Sequence, residues 1–325
     1  MNEIGTVTDD LRLQPAPTIS VVICTYNRAA LLAGVLKTLC NQTLDRSCYE
    51  VIVVDNNSSD ATRVTTEEFC RRYENVRHCL ESRQGSSYAR NLGVQVAQGE
   101  YVAFCDDDCE VPNNWLAIAS EIIEEVSPAV FGAGFFALYH TPKPRWYKDS
   151  YGSHSLGETA RVLKEETVSG GNSFYRRSLL LSLGGFDTTM GPVGKQLGFG
   201  EDIAPQLLLR SRMPEAVIYY DPRLHIYHLV RPEKLSLRWV ARWRFAMGYD
   251  CYRLFSEGRH PTVKNRVLWM QAARTILHFV VDLTIGMIKR DRRQYPYCQN
   301  YFYEHTSEYL TDLGRIYARK RLSQH

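Results

Sequence analysis

No CxxC pair occurs among the nine cysteines of this 325-residue chain, and their number is odd. Residues 1–17 are polar and proline-bearing, without the apolar run of a secretory leader. Together these predict reduced thiols and a cytoplasmic setting. Cys105 and Cys109 have no matching second pair, so zinc is weakly signalled and both read as small apolar residues. No GxGxxG follows the first predicted strand, which disfavours a dinucleotide-binding dehydrogenase. No internal repeat is visible. No long run is free of ionisable groups either: the apolar stretch 267–288 is interrupted by Arg274, His278 and Asp282. A transmembrane span rarely carries three such groups at its middle. Hydrophobic content of 44% and charged content of 23% exclude a fibrous or wholly disordered chain. The length suits one large domain or two medium ones.

Charge is unevenly spread. Residues 231–325 hold 18 Lys+Arg against 8 Asp+Glu, a balance of +10. The formal +3 of the whole chain minus this +10 leaves −7 for residues 1–230. An acidic body with a basic C-terminal part follows. The basic part is suited to phosphates, to an anionic membrane surface, or to a solvated helical face, the commonest case.

What the chain does have is Tyr101-Val-Ala-Phe-Cys105 running into Asp106, Asp107 and Asp108. The apolar run reads as a buried strand. Three adjacent carboxylates repel and call for a counter-ion, and the C-terminal strand edge of an open α/β sheet is where ligands bind. A divalent cation there competes with a plain solvated acidic turn. Upstream, Ile19–Cys24, Val51–Val54 and Val76–Leu80 read as strands, alternating with helices over 29–39, from the 56–60 turn to Tyr73, and over 85–97. This βαβαβαβ pattern predicts a doubly wound, mostly parallel α/β sheet flanked by helices. Downstream, a helix from Pro112 to Val126 and a strand from Ala129 to Leu138 are expected. Next comes a loop-rich 140–165 with Trp146, Tyr147 and Tyr151, an irregular stretch of a length that is usually functional or mobile. Phe174–Arg177 leads into a helix to Leu183. A glycine-rich 188–200 precedes a helix starting at Glu201-Asp202, and short strands cover 216–220 and 224–228. From Ser236 the pattern is helical. Arg274, His278 and Asp282 form one polar stripe, so residues 267–288 read as an amphipathic helix, packed on the catalytic body or lying in a membrane interface.

Several separated pieces stand in one order: Val21–Arg28, Val53–Asp60, Ala89-Arg90-Asn91-Leu92-Gly93, the Asp triplet, Gly184-Gly185-Phe186-Asp187 and Gly200-Glu201-Asp202. Over about residues 18–250 this resembles a family 2 glycosyltransferase with the GT-A fold. The resemblance implies a catalytic domain over 18–230; composition and charge mark 1–17 as a flexible lead and 231–325 as a basic helical extension, of which residues 251–325 lie outside the resemblance. It implies that Thr25, Asn27 and Arg28 line the nucleotide and that Asp55 receives its base, against the plainer reading of a helix cap. Arg83 and Arg90, flanking a helix start, suit a diphosphate or carboxylates; Arg90 could instead pair structurally with the triplet, and the family often has Asn where this chain has Arg83. The triplet matches the DxD element, with Asp106 and Asp108 as the spaced pair and Asp107 leaving the assignment open. Mg²⁺ or Mn²⁺ is the implied cation, with His228 completing the site or standing as a structural histidine, and His225 as a weaker rival. Asp202, next to Glu201, is the implied general base, against the plainer reading of two acids in a first helical turn. Gly171, Asn172 and the 188–200 loop are expected to border the acceptor, and Trp146, Tyr147 and Tyr151 to stack on a sugar face or form a lid.

The expected reaction is therefore transfer of a sugar, with inversion, from a nucleotide-sugar to a glycan or lipid-linked acceptor. No nucleic-acid partner is expected, and peripheral contact with the inner membrane face is expected through the C-terminal region. Three rivals stand beside it: a non-catalytic nucleotide-sugar binding module, a metal-dependent nucleotidyltransferase and a membrane-surface adaptor.

Overall fold

The computed structural model describes residues 16–194, 196–256 and 264–323. The lead expected over 1–17 lies, apart from its last two residues, outside the described residues. The strands are β1 (Ile19–Thr25), β2 (Tyr49–Asp55), β3 (Val76–Leu80), β4 (Tyr101–Cys105), β5 (Cys109–Glu110), β6 (Val130–Gly132), β7 (Phe135–Leu138), β8 (Arg161–Val162), β9 (Asn172–Arg176), β10 (Ile218–Tyr220) and β11 (Ile226–Leu229). The helices of the body are α1 (Ala29–Leu39), α2 (Thr62–Arg72), α3 (Ser86–Val96), α4 (Trp115–Glu125), α5 (Arg177–Ser182) and α6 (Ala204–Arg212).

A large sheet runs β3-β2-β1-β4-β9-β6-β10-β8. Its first four strands are parallel, whereas β9 is antiparallel to both β4 and β6. Every residue of β2 and β4 is buried, and β1 is buried but for Cys24. Strands covered on both faces need such continuous apolar runs. The chain winds outward from β1 to β3, then returns to lay β4 on the other side of β1, which makes a topological switch point between β1 and β4. Register sets Thr25 beside Asp55 at the C-terminal edge. β4 ends one residue before Asp106 at the same edge. A second sheet, β5-β11-β7, pairs His228 with Cys109, directly after the triplet.

Several expectations give way. The single strand expected over Ala129–Leu138 is two strands, and the chain passes from the large sheet to the small one at Ala133-Gly134. β9, expected as the approach to a helix, is a central strand. Its Asn172 is fully buried rather than bordering an acceptor: its amide donates to Gly134 O and Leu224 O (2.9 and 2.8 Å) and accepts from Trp115 Nε1 (3.1 Å), tying the sheets together. The aromatics of 140–165 are an anchor: Trp146 and Tyr147 are buried with Val230, and Tyr151 stacks on Tyr303 at 3.9 Å between centroids.

The C-terminal region is helical: α7 (Leu237–Phe255), then α8 (Asn265–Val281), which continues through a π-type turn (Asp282–Gly286) into α9 (Met287–Lys289). α10 (Cys298–Tyr301), a second π-type turn (Phe302–Thr306) and α11 (Glu308–Leu322) complete it. Ser236 caps α7 by accepting from Trp239 N. α7 reaches back to the body, where the Asp250 carboxylate accepts from Phe199 N (3.2 Å) and Arg253 donates to Thr189 O (3.0 Å). Packing of α8 through its apolar side is not what is found. Asp282, from the polar stripe, turns inward and accepts from the hydroxyls of Tyr301 and Thr306, both at 2.6 Å. Trp269, Leu277 and Ile288 face solvent at 63%, 60% and 77% exposure.

Candidate active site

The acidic triplet splits by side chain. Asp107 is buried and turned toward β1, where its carboxylate accepts from Thr25 Oγ1 (2.8 Å) and Arg28 Nη1 (2.7 Å). Burial and the neighbouring Asp108 push its carboxyl up to about 6 even against Arg28. Asp108 shares that guanidinium, with its Oδ2 3.8 Å from Arg28 Nη1. Its Oδ1 lies 3.2 Å from His228 Nε2, and its Oδ2 lies 3.5 Å from Arg231 Nε. Burial opposes ionisation there, but the His228 hydrogen bond and charge, with Lys234 and Arg28, hold Asp108 well below the ordinary carboxylate range. Asp106 is the more open of the three and also approaches His228 Nε2, at 3.8 Å.

Asp106, Asp108, Cys109 and His228 each offer a ligand atom within 4.8 Å of the others. The Cys109 thiol is pushed well above its ordinary range by its hydrogen bond to Cys105 and by burial, so it is a poor thiolate donor. Two carboxylates and an imidazole remain, a hard set that fits Mn²⁺ or Mg²⁺. Asp107, expected with them, is instead the partner of Thr25 and Arg28. His225 stays outside, with Nδ1 against Pro222 O and its ring against Phe136.

The second acidic pair also divides. Glu201 is buried, with Oε1 2.6 Å from Arg90 Nη1. Arg90 reaches Asp106 with its other nitrogen at 3.9 Å and so links the two acidic groups. Burial weakens its charge less than Glu201 and Asp106 reinforce it. Asp202 has no side chain bonded to its carboxylate among the described residues. Its backbone carbonyl is held by Tyr175 Oη (3.2 Å) and Gln206 Nε2 (3.3 Å). Burial and the adjacent Glu201 charge push its carboxyl up to about 6, with Arg90 pulling down. Glu201 and Asp202 sit in a turn before α6, which starts at Ala204 rather than at Glu201. Two consecutive glycines make room for the two carboxylates: a Cβ on Gly170 would fall inside the Asp202 carboxylate, and one on Gly171 inside that of Asp106. Gly170-Gly171 is thus a stretch without side chains against which the Asp202 and Asp106 carboxylates both lie.

The other predicted residues sit at the rim. Asn27, in the left-handed region at φ 53°, accepts through Oδ1 from Ser59 N (2.7 Å) and joins the first loop to the second. Asp55 is buried and accepts from Ser58 N (2.8 Å), and its Oδ2 lies 3.9 Å from His78. The start of α2 is served instead by Asp60, which accepts from Thr62 N (3.0 Å). Arg83 pairs with a carboxylate, Glu81 (2.8 Å), and lies over the Tyr88 ring. Arg231 and Lys234 were not foreseen. Both follow the last core strand in the run His228-Leu-Val-Arg231-Pro-Glu-Lys234, and a basic cluster directly after a candidate ligand was the available signal.

The family model for glycosyl transferase family 2 matches residues 20–184. Glycosyltransferase AglE of Haloferax volcanii is 31% identical over 174 residues, which are 52% of this chain and 56% of that protein. The glucosyl-dolichyl phosphate glucuronosyltransferase of the same organism is 25% identical over 285 residues, 84% of this chain and 90% of that one. Among solved structures, the mannosyltransferase PcManGT from Pyrobaculum calidifontis in complex with GDP-Man and Mn²⁺ superposes with a TM-score of 0.56. It is 17% identical, with 92% of this chain and 74% of that chain covered. The likeness in structure shows the fold, a GT-A sheet with a helical C-terminal region. On the family match, the chain belongs to glycosyl transferase family 2.

Proposed function

We propose that this protein transfers a sugar from a nucleoside-diphosphate sugar to a hydroxyl of a glycan or lipid-linked glycan, with inversion at the anomeric carbon. One observation carries the reading: the Asp202 and Asp106 carboxylates lie against the adjacent Gly170 and Gly171, so the proposed base and the proposed leaving-group site are side by side.

Asp106, Asp108 and His228 would hold a divalent cation, Mn²⁺ or Mg²⁺, which when bound supplies positive charge against the departing diphosphate. Asp202 accepts the proton of the acceptor hydroxyl as that oxygen attacks. Arg90 neutralises Glu201, keeping the neighbouring charge from suppressing ionisation of Asp202 further. Arg28, held by Asp107, and the Thr25–Asn27 loop border the nucleotide. Asp55 keeps Oδ2 for the base, since Ser58 occupies Oδ1. The names of relatives support the acceptor class: one acts on a glucosyl-dolichyl phosphate. The solved neighbour with GDP-Man and Mn²⁺ supports donor and cation.

The test is a thermal-shift screen of nucleoside diphosphates and their sugars, with and without Mn²⁺, on wild type and His228→Ala. Stabilisation by one nucleotide, greater with Mn²⁺ in wild type than in His228→Ala, is expected. No stabilisation by any of them contradicts the proposal.

A further inference from the structure

The region from α8 to α9 leaves its apolar side uncovered. Trp269, Met270, Ile276, Leu277, Val280 and Ile288 are 63%, 54%, 49%, 60%, 49% and 77% exposed. At 100° per residue, positions 269–280 of this set share one side of the helix. The opposite side carries Leu268, which is buried, and leads to Asp282, whose carboxylate is satisfied by Tyr301, Thr306 and His305. The helix is therefore held to α11 and the 298–306 segment by one side while its larger apolar side faces outward. Such a contiguous patch marks an interaction surface.

Charge identifies what covers it. Lys264 and Arg266 stand at one end of the helix, and Lys289, Arg292 and Arg293 at the other, all exposed. Lys320 of α11 lies over the Trp269 ring at 4.4 Å. Asp291 is the one exposed acid in the 289–293 cluster. A second copy of the chain would set cations against cations whether the two helices paired parallel or antiparallel. An anionic bilayer meets both features: its headgroups take the basic ends and its acyl boundary takes the apolar side. A tryptophan at the level of flanking lysines fits the same interface. No described helix is long and apolar enough to cross a membrane.

We infer that α8–α9 is a lipid-docking helix that lies in the surface of an anionic bilayer with its exposed apolar side inserted. The inference holds whether or not sugar transfer is the reaction. It is tested by flotation of the full chain, without substrate, on phosphatidylcholine vesicles with and without phosphatidylglycerol. Sedimentation in the absence of lipid is run in parallel. Wild type is expected to float with the phosphatidylglycerol vesicles. The double variant Leu277→Ser, Ile288→Ser is expected to lose roughly tenfold or more in partition. The double variant Lys289→Glu, Arg293→Glu is expected to lose about fivefold or more, and more steeply at low salt. All four side chains are exposed or at the helix end, so unchanged thermal unfolding is expected. Absence of flotation, or variants that float like wild type, overturns the inference. So does a lipid-free dimer that the Leu277→Ser, Ile288→Ser variant dissolves, which would give the surface to a second copy.

Discussion

At the scale of single residues, the site is built from charges that are paired and one that is not. Asp107 has Thr25 and Arg28, Asp108 has His228 and Arg231, and Glu201 has Arg90. Asp202 has burial, the repulsion of Glu201, and Arg90 as a more distant cation, which is why its carboxyl lies near 6. A base must be ionised to accept a proton, so activity falls as pH falls through that value. With saturating cation, kcat/KM is expected to rise about tenfold per pH unit below pH 6 and to level above it. An inflection near 4, the ordinary range of an aspartate, would show that the limiting carboxyl is not raised by burial and Glu201. Gly170→Ala tests the placement of Asp202. The added methyl competes with the Asp202 carboxylate for the same space. A displacement of about 1 Å costs roughly 100-fold in rate, while nucleotide binding, which falls to the Asp106 group, is expected to stay within a few-fold. Isothermal titration beside initial rates separates the two.

At the scale of elements, long apolar runs and short turns were readable, and strands defined by their neighbours were not. β1 and β4 announce themselves because both of their faces are buried, and α1 was legible from Leu31, Leu32, Val35, Leu36 and Leu39. β9 was hidden because Asn172-Ser-Phe-Tyr-Arg176 has neither alternation nor a β-branched residue; it is a strand because β4 and β6 pair with it on both sides. The same tertiary origin hid the duty of Asn172. Asn172→Ala leaves Gly134 O, Leu224 O and Trp115 Nε1 without this partner in the core. It is expected to cost about 3 kcal/mol in urea unfolding, where a cost below about 1 kcal/mol would mean that water takes its place. The Asp triplet and Glu201-Asp202 were legible as pairs but not in their division of labour, because sequence does not say which carboxylate meets Arg90. Nor did the polar stripe of α8 show that its Asp282 turns inward, since Tyr301 and Thr306, which receive it, belong to a later segment.

At the scale of the whole molecule, an acidic body and a basic extension meet at two joints besides the Arg231–Asp108 contact. One is the glycine-rich loop, where Asp250 and Arg253 of α7 hold Phe199 and Thr189, just ahead of Glu201. The other is the buried aromatic cluster of Trp146 and Tyr147, to which Asn300 is tied through Trp146 O (2.5 Å). The extension thus braces the segment that carries the proposed base while presenting α8 outward. Catalysis in this account is divided between two carboxylate groups, one against Gly170 and the other against Gly171, and that division is its central claim. The most direct measurement is the transfer rate of Asp202→Asn, with nucleotide-diphosphate affinity in the presence of Mn²⁺ measured on the same preparation. Removing a positioned base is expected to lower the rate by roughly 100-fold or more while affinity stays within a few-fold of wild type. Transfer at the wild-type rate would contradict the account.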